Sequence, residues 1–107
     1  MKKHCENNNA RTESQQSICA WAEETFGPVM DPKALWDRAM LEMHELGDAI
    51  DQRDLSEIGK EAADVMILLY RLMDQFGLEL GAQCDAKMAI NRSRNWQSKG
   101  DGTGSHI

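Results

Sequence analysis

The chain has 107 residues, room for one domain. Its formal net charge is −6, from 12 basic and 18 acidic side chains. That leaves no basic stripe to displace counterions and excludes a binder of nucleic-acid backbones, but not a nucleotide whose charge a metal ion neutralises. Cys5, Cys19 and Cys84 form no Cys-x-x-Cys pair, and neither a long apolar run nor a leader pattern stands out. The expectation is a cytoplasmic protein with free thiols.

In chain order, residues 1–13 are polar, with Asn7, Asn8 and Asn9 in a row, and are expected to be flexible. His4 and Cys5 in this stretch read as incidental. A first helix is expected over about residues 14–26, with Ile18, Cys19, Trp21, Ala22 and Phe26 as its apolar positions and Gly27-Pro28 as its stop. The second helix starts with Asp31 as N-cap and Pro32 in the first turn. Leu35, Trp36, Ala39, Met40, Met43, Leu46, Gly47 and Ile50 then recur at helical period. After a break near residues 52–55, Asp54 or Ser56 caps a third helix. It carries Ile58, Ala62, Val65, Met66, Leu69, Leu72, Met73 and Phe76, and Gly77 ends it. Its middle, 65–70, is apolar nearly all round, which in a small domain points to a subunit interface. A fourth helix over about residues 78–96 points Leu80, Cys84, Met88 and Ile90 inward and turns basic at Lys87, Arg92 and Arg94. Residues 98–107, with Gly100, Gly102 and Gly104, read as a loop. No strand alternation appears, so the fold class is all-α, a bundle of four helices with short connections.

The chemistry concentrates in two acidic pairs, Glu42-Met43-His44-Glu45 and Glu61-Ala62-Ala63-Asp64. Spacing of i, i+3 puts both carboxylates of a pair on one helix face, and each pair is embedded in apolar sequence that borders the core. Side-by-side packing of the two helices would converge four carboxylates on one small volume. Such a cluster is unfavourable unless some members protonate or a cation compensates them. Oxygen ligands alone favour Mg²⁺ or Mn²⁺, so the residues read as a metal site suited to phosphate chemistry. Lys87, Asn91 and Arg94, at i, i+4 and i+7, share one face of the fourth helix.

Glu42-x-x-Glu45, Glu61-x-x-Asp64-Val65 and the run Lys87-Met88-Ala89-Ile90-Asn91-Arg92-Ser93-Arg94 together resemble the all-α nucleoside triphosphate pyrophosphohydrolases, which include the MazG-like proteins, the dimeric dUTPases and the dCTP pyrophosphatases. The resemblance spans residues 21–96. The stretch from Cys19 to Val29 and the tail from Gly100 to Ile107 are similar to a phage and bacterial branch described as dATP/dGTP diphosphohydrolase-like. It implies a MazG-like helical domain over 14–97, between a flexible segment 1–13 and a glycine-rich tail 98–107. It also implies conversion of a (d)NTP, dATP or dGTP in that branch, to (d)NMP and pyrophosphate, and a homodimer or homotetramer with its sites near subunit interfaces. Glu42, Glu45, Glu61 and Asp64 are then the metal-binding and catalytic set, for Mg²⁺ with Mn²⁺ able to substitute. Lys87, Asn91 and Arg94 hold phosphate, and Trp21 stacks on the base. For a phage-encoded member the location is the bacterial host cytoplasm.

Plainer readings stand beside these. The acidic pairs also suit a solvated face with ion pairs such as Arg38–Glu42 and Glu57–Lys60. The basic cluster also suits complementation of a helix C-terminus, and Trp21 also suits the core. Trp36 and Trp96 read as packing residues, Met40, Met43, Met66, Met73 and Met88 as helical core, and Cys19 and Cys84 as small buried apolar groups. His44-Glu45-Leu46-Gly47-Asp48 lacks the second histidine of a zinc protease, so His44 reads as a packing or interface residue. A redox di-metal bundle would need Glu-x-x-His pairs, which the chain lacks. A catalytically silent nucleotide-binding or regulatory bundle is the alternative function.

Overall fold

The structure, a computed structural model, describes residues 11–107. Most of the expected flexible segment, with His4 and Cys5, lies outside the described residues. Four helices follow in order: α1 (Gln15–Phe26), α2 (Pro32–Gln52), α3 (Leu55–Gln75) and α4 (Leu80–Ser93). Each starts at a side-chain cap that satisfies orphan backbone N–H groups. Ser14 and Ser17 form a reciprocal capping box on α1, Ser17 N–H donating to Ser14 Oγ at 3.1 Å and Ser14 N–H to Ser17 Oγ at 2.8 Å. Asp31 caps α2, accepting from Lys33 N–H at 3.0 Å, with Pro32 in the first turn. Asp54 rather than Ser56 caps α3, accepting from Glu57 N–H at 3.2 Å.

The fourth helix is shorter at both ends than its sequence pattern indicates. Glu79 is its N-cap, accepting from Ala82 N–H at 2.7 Å, and the helix stops at Ser93. Beyond it, the loop expected over 98–107 is instead an antiparallel hairpin of β1 (Trp96–Ser98) and β2 (Gly104–His106), pairing Trp96 with His106 and Ser98 with Gly104. Asp101 closes its turn by accepting from Thr103 N–H at 2.9 Å and from the Thr103 hydroxyl at 2.7 Å. Those bonds hold the Asp101 carboxyl below its usual range. Gly100 and Gly102, at φ 90° and 92°, supply the left-handed backbone that the turn needs. Asp101-Gly102 is a hairpin-turn dipeptide, but without apolar alternation beside it the strands leave no period to read. Trp96 ties the hairpin to α4, its Nε1–H donating to the Asn91 carbonyl at 2.7 Å.

The core lies between α2 and α3, where Leu35, Ala39 and Leu68 are buried together and Val29 and Leu72 pack against them. α1 and α4 both pack on α3. Gln15 locks the base of α1 to the turn before α4. Its Nε2 donates to the Leu78 carbonyl at 2.8 Å and its Oε1 accepts from Leu80 N–H at 2.9 Å, so this buried amide is paired at both ends. The methionine positions differ from expectation: Met40, Met43, Met66 and Met88 are exposed on the single chain, between 41% and 51%. Cys84 is exposed as well, and Cys19 is half-buried with a free thiol that burial pushes up in pKa. With α1 and α4 both resting on α3, the bundle is too thin to cover an all-round apolar pattern. Among the described residues no helix is long and apolar enough to cross a membrane.

Leu68→Ala truncates one of the two buried leucines of the α2–α3 core. It is expected to lower the unfolding free energy by about 2–4 kcal/mol, read from urea titration followed by circular dichroism.

Candidate metal and nucleotide site

Packing α2 on α3 brings Glu42, Glu45 and Glu61 together, with one carboxylate oxygen from each within 4.8 Å of the others. Glu42 is 6% exposed, an unusual burial for a carboxylate. The Arg38 guanidinium, one turn earlier on α2, lies 3.2 Å from Glu42 Oε2. Glu57–Lys60 also forms, at 3.7 Å, so both ion pairs of the plainer reading exist. A solvated face nevertheless does not account for Glu42, which is buried, or for three carboxylates turned toward one another.

Glu61 carries the cost of that convergence. Partial burial, the Glu42 carboxylate within hydrogen-bonding reach, and the charges of Glu45, Glu42 and Asp64 push its pKa from 4.5 up to about 7. Its Oε1 is buried and, among the described residues, faces no donor. Neighbouring carboxylate oxygens cannot donate to it while ionised, so either a proton or a cation must satisfy it. The donor set is all oxygen and fits a hard divalent ion. Asp64 lies outside the three-oxygen cluster, although its charge reaches Glu61 and it shares the adjoining cavity with Glu42.

That cavity, of about 530 Å³, is of a size that takes a small ligand. One end holds Arg38, Glu42 and Asp64, and the remaining wall is formed by Trp21, Phe26, Ile67, Leu68 and Arg71. Trp21 is 55% exposed on this wall, with its ring edge-to-face against Phe26 at 5.5 Å. On the other side of the carboxylates, Glu45, Asp48, Gln52, Glu57 and Glu61 line a second, acidic cleft. Lys87, Asn91 and Arg94 line neither cavity. Lys87 is exposed on α4 and Arg94 at its C-cap, and Asn91 is half-buried with its Oδ1 lacking a donor among the described residues. His44 is exposed and outside the carboxylate cluster. Phe26 and Arg71 also line the first cavity, although neither stands in a sequence motif of the site. Arg71 follows Asp64 by two turns on α3, so extending the acidic face by i+7 finds it.

No protein-family model matches the chain. A protein named dATP/dGTP diphosphohydrolase from cyanophage S-2L is 32% identical over 95 residues, 89% of this chain and 86% of the relative. The chain is a MazG-like pyrophosphohydrolase family member. A solved structure agrees: the cyanophage S-2L MazG-like pyrophosphohydrolase, bound to dGDP and three catalytic Mn²⁺ ions per active site, superposes with a TM-score of 0.67 at 30% identity, covering 87% of this chain and 91% of that one. A dATP/dGTP diphosphohydrolase from Salmonella phage PMBT28 is 31% identical over 106 residues. The chain spans 99% of itself but only about 34% of that relative's length.

In this MazG-like chain the strained carboxylate cluster makes folding pH-dependent. Glu61 binds its proton more tightly folded than unfolded, so without metal the folded state is favoured at low pH. That advantage falls as pH rises from 4.5 to about 7. The melting temperature in EDTA is expected to drop across this window, Glu61→Gln to flatten the drop, and Mg²⁺ or Mn²⁺ to raise the melting temperature at pH 8 in the unsubstituted protein only.

Proposed function

We propose that the chain is a Mg²⁺-dependent nucleotide pyrophosphohydrolase that converts a purine (d)NTP, dATP or dGTP, to (d)NMP and pyrophosphate. The observation that carries this reading is the convergence of Glu42, Glu45 and Glu61 around a buried, donorless Glu61 Oε1 beside an aromatic-walled cavity. The relatives named dATP/dGTP diphosphohydrolase, and the dGDP and Mn²⁺ of the similar structure, support the same substrate and metal classes.

Glu42, Glu45, Glu61 and Asp64 would hold the divalent ions. When bound, those ions neutralise charge on the triphosphate oxygens as the α–β phosphoanhydride breaks. One glutamate of α2 takes the proton of the water that attacks the α-phosphorus, and pyrophosphate leaves from the far side. Arg38 holds Glu42 in place through its ion pair. Trp21 offers an exposed ring face on which a base can stack, leaving the triphosphate toward Glu42 and Asp64.

Lys87, Asn91 and Arg94 are the proposed phosphate grip, Arg94 by its fork and Lys87 as a point charge. Their place outside the cavities of their own chain fits a site completed by assembly. Exposed Met40, Leu41, Met43 and Met66 on α2 and α3 supply the apolar surface for a homodimer or homotetramer.

Pyrophosphate release from the common NTPs and dNTPs, with Mg²⁺ and with EDTA, tests the reaction. Metal-dependent pyrophosphate from purine deoxynucleotides is expected. Nucleotide binding without release from any of them would replace the enzyme by the silent binding bundle. Glu42→Gln and Asp64→Asn are each expected to cut turnover by at least about 100-fold with helicity retained, and full activity in either would remove that residue from the metal site. Light scattering is expected to give a mass of two or four chains.

A further inference from the structure

We propose that Arg71 reads the base, through a forked pair of hydrogen bonds to the O6 and N7 edge of guanine, and so makes this chain prefer guanine over adenine nucleotides. The inference rests on the cavity being the nucleotide site. Three observations carry it. First, Asp64, Ile67, Leu68 and Arg71 fall at i, i+3, i+4 and i+7 of α3, and all four line the same cavity. One helix face therefore runs from a metal-side carboxylate, across an apolar wall, to a guanidinium. Seven residues of helix span about 10 Å, which suits the reach of a nucleoside from its α-phosphorus to the far edge of its base.

Second, the two arginines of the cavity differ in what they face. Arg38 is committed to Glu42 at 3.2 Å, at the carboxylate end. Arg71 has no carboxylate within ion-pair distance among the described residues. Its guanidinium lies over the Phe26 ring, 5.5 Å from the centroid, and it is half-buried. Third, Phe26 itself packs edge-to-face on Trp21, so the ring that steadies Arg71 is joined to the ring that offers a stacking face. The arrangement holds a planar set of N–H donors, unspent among the described residues, over the Phe26 ring that packs on Trp21, and both aromatic rings line the cavity where a base would stack.

A guanidinium in that place distinguishes purines by donor and acceptor pattern. Guanine presents two acceptors, O6 and N7, that match the fork, whereas adenine presents N7 beside an N6 amino donor that meets the guanidinium N–H groups head on. A site built to hydrogen-bond one group discriminates strongly against a substrate that leaves its donors unpaired. Phe26, Ile67 and Leu68 make no hydrogen bonds to a base edge through their side chains, and Trp21 has a single indole N–H, so within this wall only Arg71 offers a fork of donors.

The test compares dGTP with dATP by kcat/KM for the unsubstituted protein, Arg71→Gln and Arg71→Lys, with binding of dGDP and dADP measured by calorimetry in parallel. The unsubstituted protein is expected to favour guanine by about 10- to 100-fold in both readouts. Both variants are expected to lose that preference through a fall for guanine nucleotides alone; Arg71→Lys keeps the charge but not the fork. An equal fall for both nucleotides would make Arg71 a phosphate ligand and overturn the proposal. An unchanged ratio with a lowered melting temperature would make it a packing residue and overturn it equally. If no pyrophosphate is released from any nucleotide, the hydrolase reading fails while the calorimetric ratio still decides the role of Arg71.

Discussion

Everything at the site depends on the packing of α2 against α3, which forces like charges together. Leu35 and Ala39 bury themselves against Leu68, and in doing so set the helix pair at a register where Glu42, Glu45 and Glu61 face one another. The apolar contact supplies the free energy, and the carboxylates oppose it. Burial of Glu42 and the donorless Oε1 of Glu61 are the signature of that opposition. A fold that tolerates such a cluster holds, in its metal-free state, a site whose electrostatics improve when a divalent ion arrives. Binding and stability are thus coupled through the same three side chains.

The rest of the molecule is arranged around that pair. α1 lies along α3 and brings Trp21 and Phe26 to the cavity, while Gln15 at its other end pins the chain to the turn before α4. The cavity consequently has two characters. Its carboxylate side suits metal and phosphate, and its aromatic side suits a flat, apolar base with polar edges. α4 and the β1–β2 hairpin stand apart from the cavity, with α4 resting on α3 and tied to α1 through Gln15. Several methionines that read as core lie exposed on α2, α3 and α4. The flexible thioether side chain adapts to irregular contacts, a property useful at a surface that a further chain would cover.

The helices were legible because their signals are local. Asp31-Pro32, Asp54 three residues before Glu57, and Gly27 at φ 84° each act within a turn of the residue that shows them. The acidic pairs were legible for the same reason, since i, i+3 spacing fixes a shared face whatever the helix packs against. The hairpin was not, because its strands are three residues long and exposed on both faces, with no hydrophobic alternation to betray them. Nor were the methionines, since periodicity names the apolar face of a helix but not whether another element covers it. Lys87 and Asn91 share a face of α4 as their spacing dictates, but Arg94 falls at the C-cap with extended backbone because the helix stops at Ser93, and spacing is silent on what that face meets.

By itself, then, the sequence determined the four helices, the Asp31 cap of α2, the pairing of Glu42 with Glu45 and of Glu61 with Asp64 on common faces, and the resemblance that the relatives bear out. Tertiary structure alone decided which carboxylates meet: Glu42, Glu45 and Glu61 cluster tightly while Asp64 stands off along the cavity. It also decided that Arg71 and Phe26 share a wall with Trp21. The physical reason is the difference between distances along a helix, which 3.6 residues per turn prescribes, and distances between helices, which depend on how side chains interdigitate at a remote contact.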